Sequence, residues 1–226
     1  MNRRVIASAA FALSMLVGVT SSARASVLLP GGSVDPLLGT TLGGDPSLGG
    51  VVIDSVLAPF SGLDVNNVVR FTGVLESHVV RELSGTLSFY YQLSNDALSQ
   101  DGISRFANTN FTGWATDVNY RLDAMVGIAG GSILPGTQQG SEATRSVDGS
   151  VVGFNFIAAP VGAGVLAQGT TSLWHVIRTD ATTYIPGNTA IINGGNVNVQ
   201  TFAPAPEPAT LGLVGLGALA LLRRRR

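Results

Sequence analysis

Residues 86–93 read Thr86-Leu87-Ser88-Phe89-Tyr90-Tyr91-Gln92-Leu93. Leu87, Phe89, Tyr91 and Leu93 fall on one side of an extended chain, Ser88, Tyr90 and Gln92 on the other. That is the period of two expected of a β-strand with one face on a core, not the 3.6 of a helix. The alternation recurs along the chain. In Trp114–Arg121, Trp114, Thr116, Val118 and Tyr120 point inward and Asp117, Asn119 and Arg121 outward. Val152, Phe154 and Phe156 alternate with Gly153 and Asn155, and Val197 and Val199 with Asn196, Asn198 and Gln200. In 173–178, Leu173, His175 and Ile177 oppose Trp174, Val176 and Arg178, so that strand is expected to be covered on both faces.

Turn chemistry separates these runs. Asp148-Gly149 and Asn193-Gly194-Gly195 are hairpin signals, because glycine adopts the positive φ that tight hairpin turns require. Ser94-Asn95-Asp96 and Asp101-Gly102 bracket a loop after the first strand quoted. Gly127–Gly140 reads as a long loop and Ala158–Gly169 as a connection of small residues. Short strands between Gly-rich turns predict an all-β fold, an antiparallel β-sandwich of jelly-roll type, over residues 51–203. Residues 26–50, rich in Gly, Pro and Leu, read as an irregular lead-in. An outer-membrane barrel would need eight or more strands of about nine to eleven residues with a lipid-facing band. The strands expected from the sequence are shorter.

The chain has 226 residues, no cysteine and 12% charged residues. Without cysteine there is no disulfide framework, no thiolate nucleophile and no Cys-type zinc site. All thirteen basic residues are arginine, and they cluster at the two ends. Between Val27 and Pro206, six arginines face thirteen carboxylates, a net charge of −7. Such a body repels phosphate backbones, which argues against a nucleic-acid partner.

The N-terminus has the order of an export signal. Arg3 and Arg4 precede the apolar stretch Val5–Val19, and Ala23-Arg24-Ala25 supplies the small residues of an A-x-A cleavage pattern. The apolar stretch has fifteen residues against the roughly twenty of a bilayer span. Residues 1–25 are therefore expected to be a signal helix cleaved after Ala25, with Ala23 and Ala25 as its cleavage determinants.

The C-terminus has three parts. Ala203-Pro204-Ala205-Pro206-Glu207-Pro208 is proline-rich, with φ fixed and donors missing, hence extended and accessible. Ala209–Leu222 is an uncharged run of fourteen residues. As a helix it is about 21 Å long at 1.5 Å per residue, short of a hydrocarbon core of ~30 Å. Arg223, Arg224, Arg225 and Arg226 then stop transfer and stay on the cytoplasmic side. This order suits temporary tethering of an exported body. Pro206-Glu207-Pro208, a Leu-, Gly- and Ala-rich apolar stretch and a terminal arginine cluster resemble the PEP-CTERM sorting signal of exported bacterial proteins. The resemblance spans about residues 204–226. It implies recognition by an exosortase, an integral-membrane cysteine protease or transpeptidase, with the tail removed near Pro206-Glu207-Pro208. The body, including Gly85–Gln92 and Arg178–Tyr184, is also similar to exported sandwich domains that carry such tails. Those domains mostly lack an assigned activity.

Within the body no catalytic constellation stands out. His78 and His175 lie far apart in the chain and read as strand histidines. There is no Gly-x-Ser-x-Gly nucleophile elbow and no phosphate-binding glycine fingerprint. Glu76, Glu82, Glu142 and the aspartates offer carboxylates for a glycosidase pair, without a pattern that joins any two. The Asp96–Asp101 loop lacks EF-hand spacing, although exported sandwiches often bind a loop calcium. Tyr90, Tyr91, Trp114 and Trp174 are candidates for a sugar-stacking platform, or for core. The expectation is a non-enzymatic structural or adhesive protein of the envelope or extracellular matrix, with extracellular polysaccharide among its expected contacts. The alternative is a carbohydrate-binding module or glycan-active hydrolase. An exposed aromatic row or a paired-carboxylate cleft would mark the second.

Overall fold

The computed structural model describes residues 26–156 and 164–205, which are nearly all β. The expected signal helix and C-terminal apolar helix lie outside the described residues. In chain order the strands are β1 (Ser26–Val27), β2 (Ser33–Val34), β3 (Gly39–Thr40), β4 (Gly50–Leu63), β5 (Val69–Glu82), β6 (Leu87–Asn95), β7 (Arg105–Asn108), β8 (Thr116–Arg121), β9 (Ile128–Ala129), β10 (Glu142–Arg145), β11 (Val152–Asn155), β12 (Trp174–Thr179), β13 (Tyr184–Asn193) and β14 (Gly195–Pro204). A 3-10 turn lies at Pro46–Leu48. The larger sheet runs β1-β8-β12-β6-β5-β4-β9, with β3 also on β8; the smaller runs β14-β13-β7-β11-β10-β2. The two predicted hairpins are present: Asp148-Gly149 turns β10 into β11, and Gly194 joins β13 to β14, with φ of 73° and 68° at the two glycines.

The two sheets share one core. Phe89, Tyr91, Val118 and Ile177 of the larger meet Phe106, Phe154, Ile191 and Val199 of the smaller. Phe106 is the hub. Its ring centroid lies 5.1 Å from Phe154, stacked, and 6.2 Å from Tyr91 on the facing sheet.

The outer face of the larger sheet departs from expectation. Alternation predicts Ser88, Gln92, Asn119 and Arg121 at a wet surface, yet all four are buried. The segment after β8 folds back over this face, and Met125 and Ile128 join Val80, Tyr90, Trp174 and Val176 in a second apolar cluster. Three of the four polar residues are hydrogen-bonded, whereas Asn119 has neither its Nδ2 nor its Oδ1 paired. The Arg121 guanidinium donates to Asp123 Oδ1 at 2.7 Å and to the Val126 carbonyl at 2.8 Å. Gln92 Nε2 donates to the Ser172 carbonyl at 3.0 Å. A buried polar group is tolerated when it is paired in this way.

Residues 26–50 form β1–β3 and the 3-10 turn and join both sheets, Ser26 opposite Val118 and Val34 opposite Ala143. Buried Arg145 holds this stretch down by donating to the carbonyls of Leu28, Phe111, Trp114 and Gly149.

His175 is wholly buried in the core among Phe106, Phe154 and Phe156, with neither ring nitrogen hydrogen-bonded. Burial lowers its pKa to about 3, only partly opposed by the Leu173 backbone. The native state therefore holds it neutral where an unfolded histidine would take a proton. Its contribution to stability is complete above pH ~6.5 and declines as pH falls toward 3. We expect urea denaturation to show this residue removing about 2 kcal/mol between pH 7 and pH 5. His175→Leu should lose less than the native chain over that interval. Equal losses in both proteins would exclude His175 as the acid-sensitive group.

Candidate functional site

The end of the described chain is bonded into the sheet to its last residue. Tyr184 pairs with Pro204 across β13 and β14. One step further, Ala205 N–H donates to the Thr183 carbonyl and the Thr183 hydroxyl donates to the Ala205 carbonyl, both at 3.0 Å. Ala203, Pro204 and Ala205 are buried. Two tyrosines brace this rung. Tyr91, from the facing sheet, donates its hydroxyl to the Phe202 carbonyl at 3.1 Å. Tyr184 donates to Asp54 Oδ2 of β4 at 2.9 Å, a bond that raises its pKa. Each hydroxyl ties β13 or β14 to the other sheet, so the chain cannot peel from Ala205 without breaking contacts in both.

An open polar pocket of about 260 Å³ lies at the same end, lined by residues that include Glu82, Ser84, Asp117, Arg178 and Asp180. It is joined to the rung by the short run Thr179–Thr183, whose Ala181 carbonyl accepts from Leu87 N–H at 2.8 Å. Arg178 organises the pocket floor. Its Nε and Nη2 bind the two oxygens of Glu82 at 2.7 and 2.8 Å, and its Nη1 reaches Asp45 Oδ2 at 3.1 Å. The Ser88 hydroxyl also donates to Glu82. A forked guanidinium matches a carboxylate in this way, and the double contact fixes both groups. Asp117 stands opposite Arg178 in the register. Burial raises its pKa; Arg178 lowers it, and Glu82 and Asp45 raise it. Asp180 accepts from Ala115 N–H at 3.0 Å.

The other candidates separate. His175 faces the core, whereas His78 lies on the opposite face of the same sheet, 5.1 Å from the Trp174 ring and 2.8 Å from Glu76. Glu142 accepts from Asn155 Nδ2. Of the proposed aromatic platform, Tyr90, Tyr91 and Trp174 are fully buried and Trp114 is half-buried. Burial raises the Tyr90 hydroxyl to about 12. In the Asp96–Asp101 loop, Arg70 grips Asp101 at 2.7 and 3.1 Å, and Thr72 donates to Asp96 at 2.7 Å. Among the described residues no three His, Asp or Glu side chains gather in a group that could hold a metal ion. Ala23, Ala25, Pro206, Glu207, Pro208 and Arg223, Arg224, Arg225 and Arg226 lie outside the described residues.

Sequence reasoning missed the Arg178 network and the Thr183–Ala205 rung. A lone arginine ending the apolar strand Leu173–Ile177 was the available signal for the first. The second joins residues 22 apart and leaves no local pattern.

Glu82 has 4% of its side chain exposed and Arg178 18%. Removing the guanidinium would strand a buried carboxylate. Arg178→Ala is expected to lower unfolding free energy by about 3 kcal/mol in urea titration; a loss below about 1 kcal/mol would mean that solvent already screens the pair.

The model of the PEP-CTERM protein-sorting motif matches residues 204–226. No curated protein and no solved structure matches the chain. The match begins at Pro204, inside β14, and takes in Pro206-Glu207-Pro208 and the arginine cluster. Among the described residues no helix is long and apolar enough to cross a membrane. Residues 204–226 thus carry a PEP-CTERM protein-sorting motif, which indicates an exported protein sorted by an exosortase toward the cell envelope or extracellular space.

Proposed function

We propose that this protein is a non-enzymatic structural or adhesive unit of the envelope or extracellular matrix. Its body is a β-sandwich, tethered briefly to the inner membrane by Ala209–Leu222 and released when the tail is cut near Pro206-Glu207-Pro208. The signal segment ending at Ala25 is removed on export, and Arg223–Arg226 hold the tail on the cytoplasmic side until processing.

The observation that carries this reading is the burial of Tyr90, Tyr91 and Trp174. Sugar-binding faces need exposed rings that stack on the ligand, and these rings serve the two cores. The structure of the body supports durability: two sheets over one core, a covered outer face, and charges engaged in fixed pairs. The acidic excess keeps it soluble and discourages contact with anionic surfaces.

A second reading has one place to stand. A carbohydrate-binding or glycan-active role would use the Glu82–Asp117–Asp180 pocket, where burial raises the Asp117 pKa above that of an ordinary carboxylate. A hydrolase pair needs one acid to donate a proton and a second free carboxylate to act opposite it. Glu82 is not free, since Arg178 occupies both of its oxygens. A glycan array separates the readings: the first expects no saturable binding through this pocket. Binding abolished by Asp117→Asn would establish the second.

The sorting role has its own test. Replacing Pro206-Glu207-Pro208 with alanines should leave the protein in the inner membrane with its tail attached, seen by fractionation and intact mass. Normal removal of the tail from that variant would refute it.

A further inference from the structure

The motif begins on residues that the sheet of the body holds, Pro204 and Ala205. Ala205, the last described residue, is held in the sheet through Thr183. Pro206, Glu207 and Pro208 follow, and the apolar run starts at Ala209. Three residues span at most about 10 Å even when fully extended. A protease cleft that also holds residues on the N-terminal side of Glu207 reaches Ala205, which is paired in the sheet, after a single residue. Pro204 and Ala205, which the next subsites would need, are buried and paired. An enzyme wide enough to cleave this tail must therefore meet the end of the folded body.

We infer that this end of the body is a docking surface for the membrane-embedded processing enzyme. The inference rests on the sorting reading above. The surface comprises exposed Thr182 and Thr183 beside the rung, the Glu82–Thr86 turn and the pocket behind it. Leu83, in that turn between the pocket-lining residues Glu82 and Ser84, is an apolar side chain 82% exposed. A protruding apolar residue ringed by polar groups is how contact surfaces are commonly built. The turn beneath it is fixed: Glu82 N–H donates to the Thr86 carbonyl and Gly85 N–H to the Glu82 carbonyl, both at 2.9 Å. Leu83 is thus presented on a rigid support. The partner is specified by reach: whatever binds Glu207 lies within about 10 Å of Ala205. It also carries groups that suit an acidic pocket and an apolar knob.

Two changes in the full chain test this in cells that process it, with tail removal followed by pulse-chase and intact mass. The first inserts Gly-Gly-Ser-Gly-Gly-Ser between Ala205 and Pro206, which moves the body away by about 14 Å on average. The second is Leu83→Glu, at an exposed site where folding is undisturbed, checked by urea denaturation. Docking predicts that each slows tail removal by about fivefold. Leu83→Glu should add less than twofold to the spaced chain. A spaced chain cut as fast as the native one, or faster, would overturn docking and leave a simple steric obstacle, with the sorting reading intact. A native chain whose tail is never removed would overturn the sorting reading, and docking with it.

Discussion

Two hydrogen bonds between Thr183 and Ala205 hold the first residues of the sorting motif in the sheet of the body. Their position follows from the longest pairing of the smaller sheet. The ten-residue ladder of β13 and β14 runs unbroken from the Gly194 turn to Tyr184 and Pro204. Tyr91 and Tyr184 tie the ribbon's far end to the larger sheet. The hydroxyl of Tyr91 emerges from the core, so the tail's anchorage depends on the same packing of Phe106, Phe154 and Phe89 that holds the two sheets together.

Charge is distributed in keeping with that arrangement. No charged residue occurs between Asp180 and Glu207. The ribbon that leads to the tail is neutral, and the body's acidic excess lies elsewhere. Where charges enter the interior they are matched. Arg178 is forked onto Glu82, Arg121 onto Asp123 and a carbonyl, and Arg145 onto four carbonyls. A buried guanidinium contributes little net stability, but it constrains geometry, because misplacing it leaves several partners unsatisfied. Arg145 does this for the lead-in and Arg178 for the pocket at the tail end.

The strand content was legible because alternation survives wherever one face meets a core: Leu87, Phe89, Tyr91 and Leu93 all lie in it. Asp148-Gly149 was legible as a turn because its chemistry is local. What alternation could not show is that the opposite face is covered too. Ser88, Gln92, Asn119 and Arg121 carry the polarity of a wet surface; Glu82, Ser172 and Val126 pair with Ser88, Gln92 and Arg121 and make their burial tolerable, while the Asn119 amide is buried unpaired. Two-residue strands such as β1 and β2 leave no period to detect. Of the site, the motif was legible as proline, apolar run and arginines in order. Its contact with the body was not, since Thr183 and Ala205 meet only through the hairpin between them.

The most direct measurement is the C-terminal residue of mature protein recovered from native cells, read by intact mass and C-terminal peptide mapping. The account predicts a chain that keeps every residue through Ala205 and has lost the apolar run with Arg223–Arg226. Mature protein that still carries those arginines, or that ends inside β14, would contradict it.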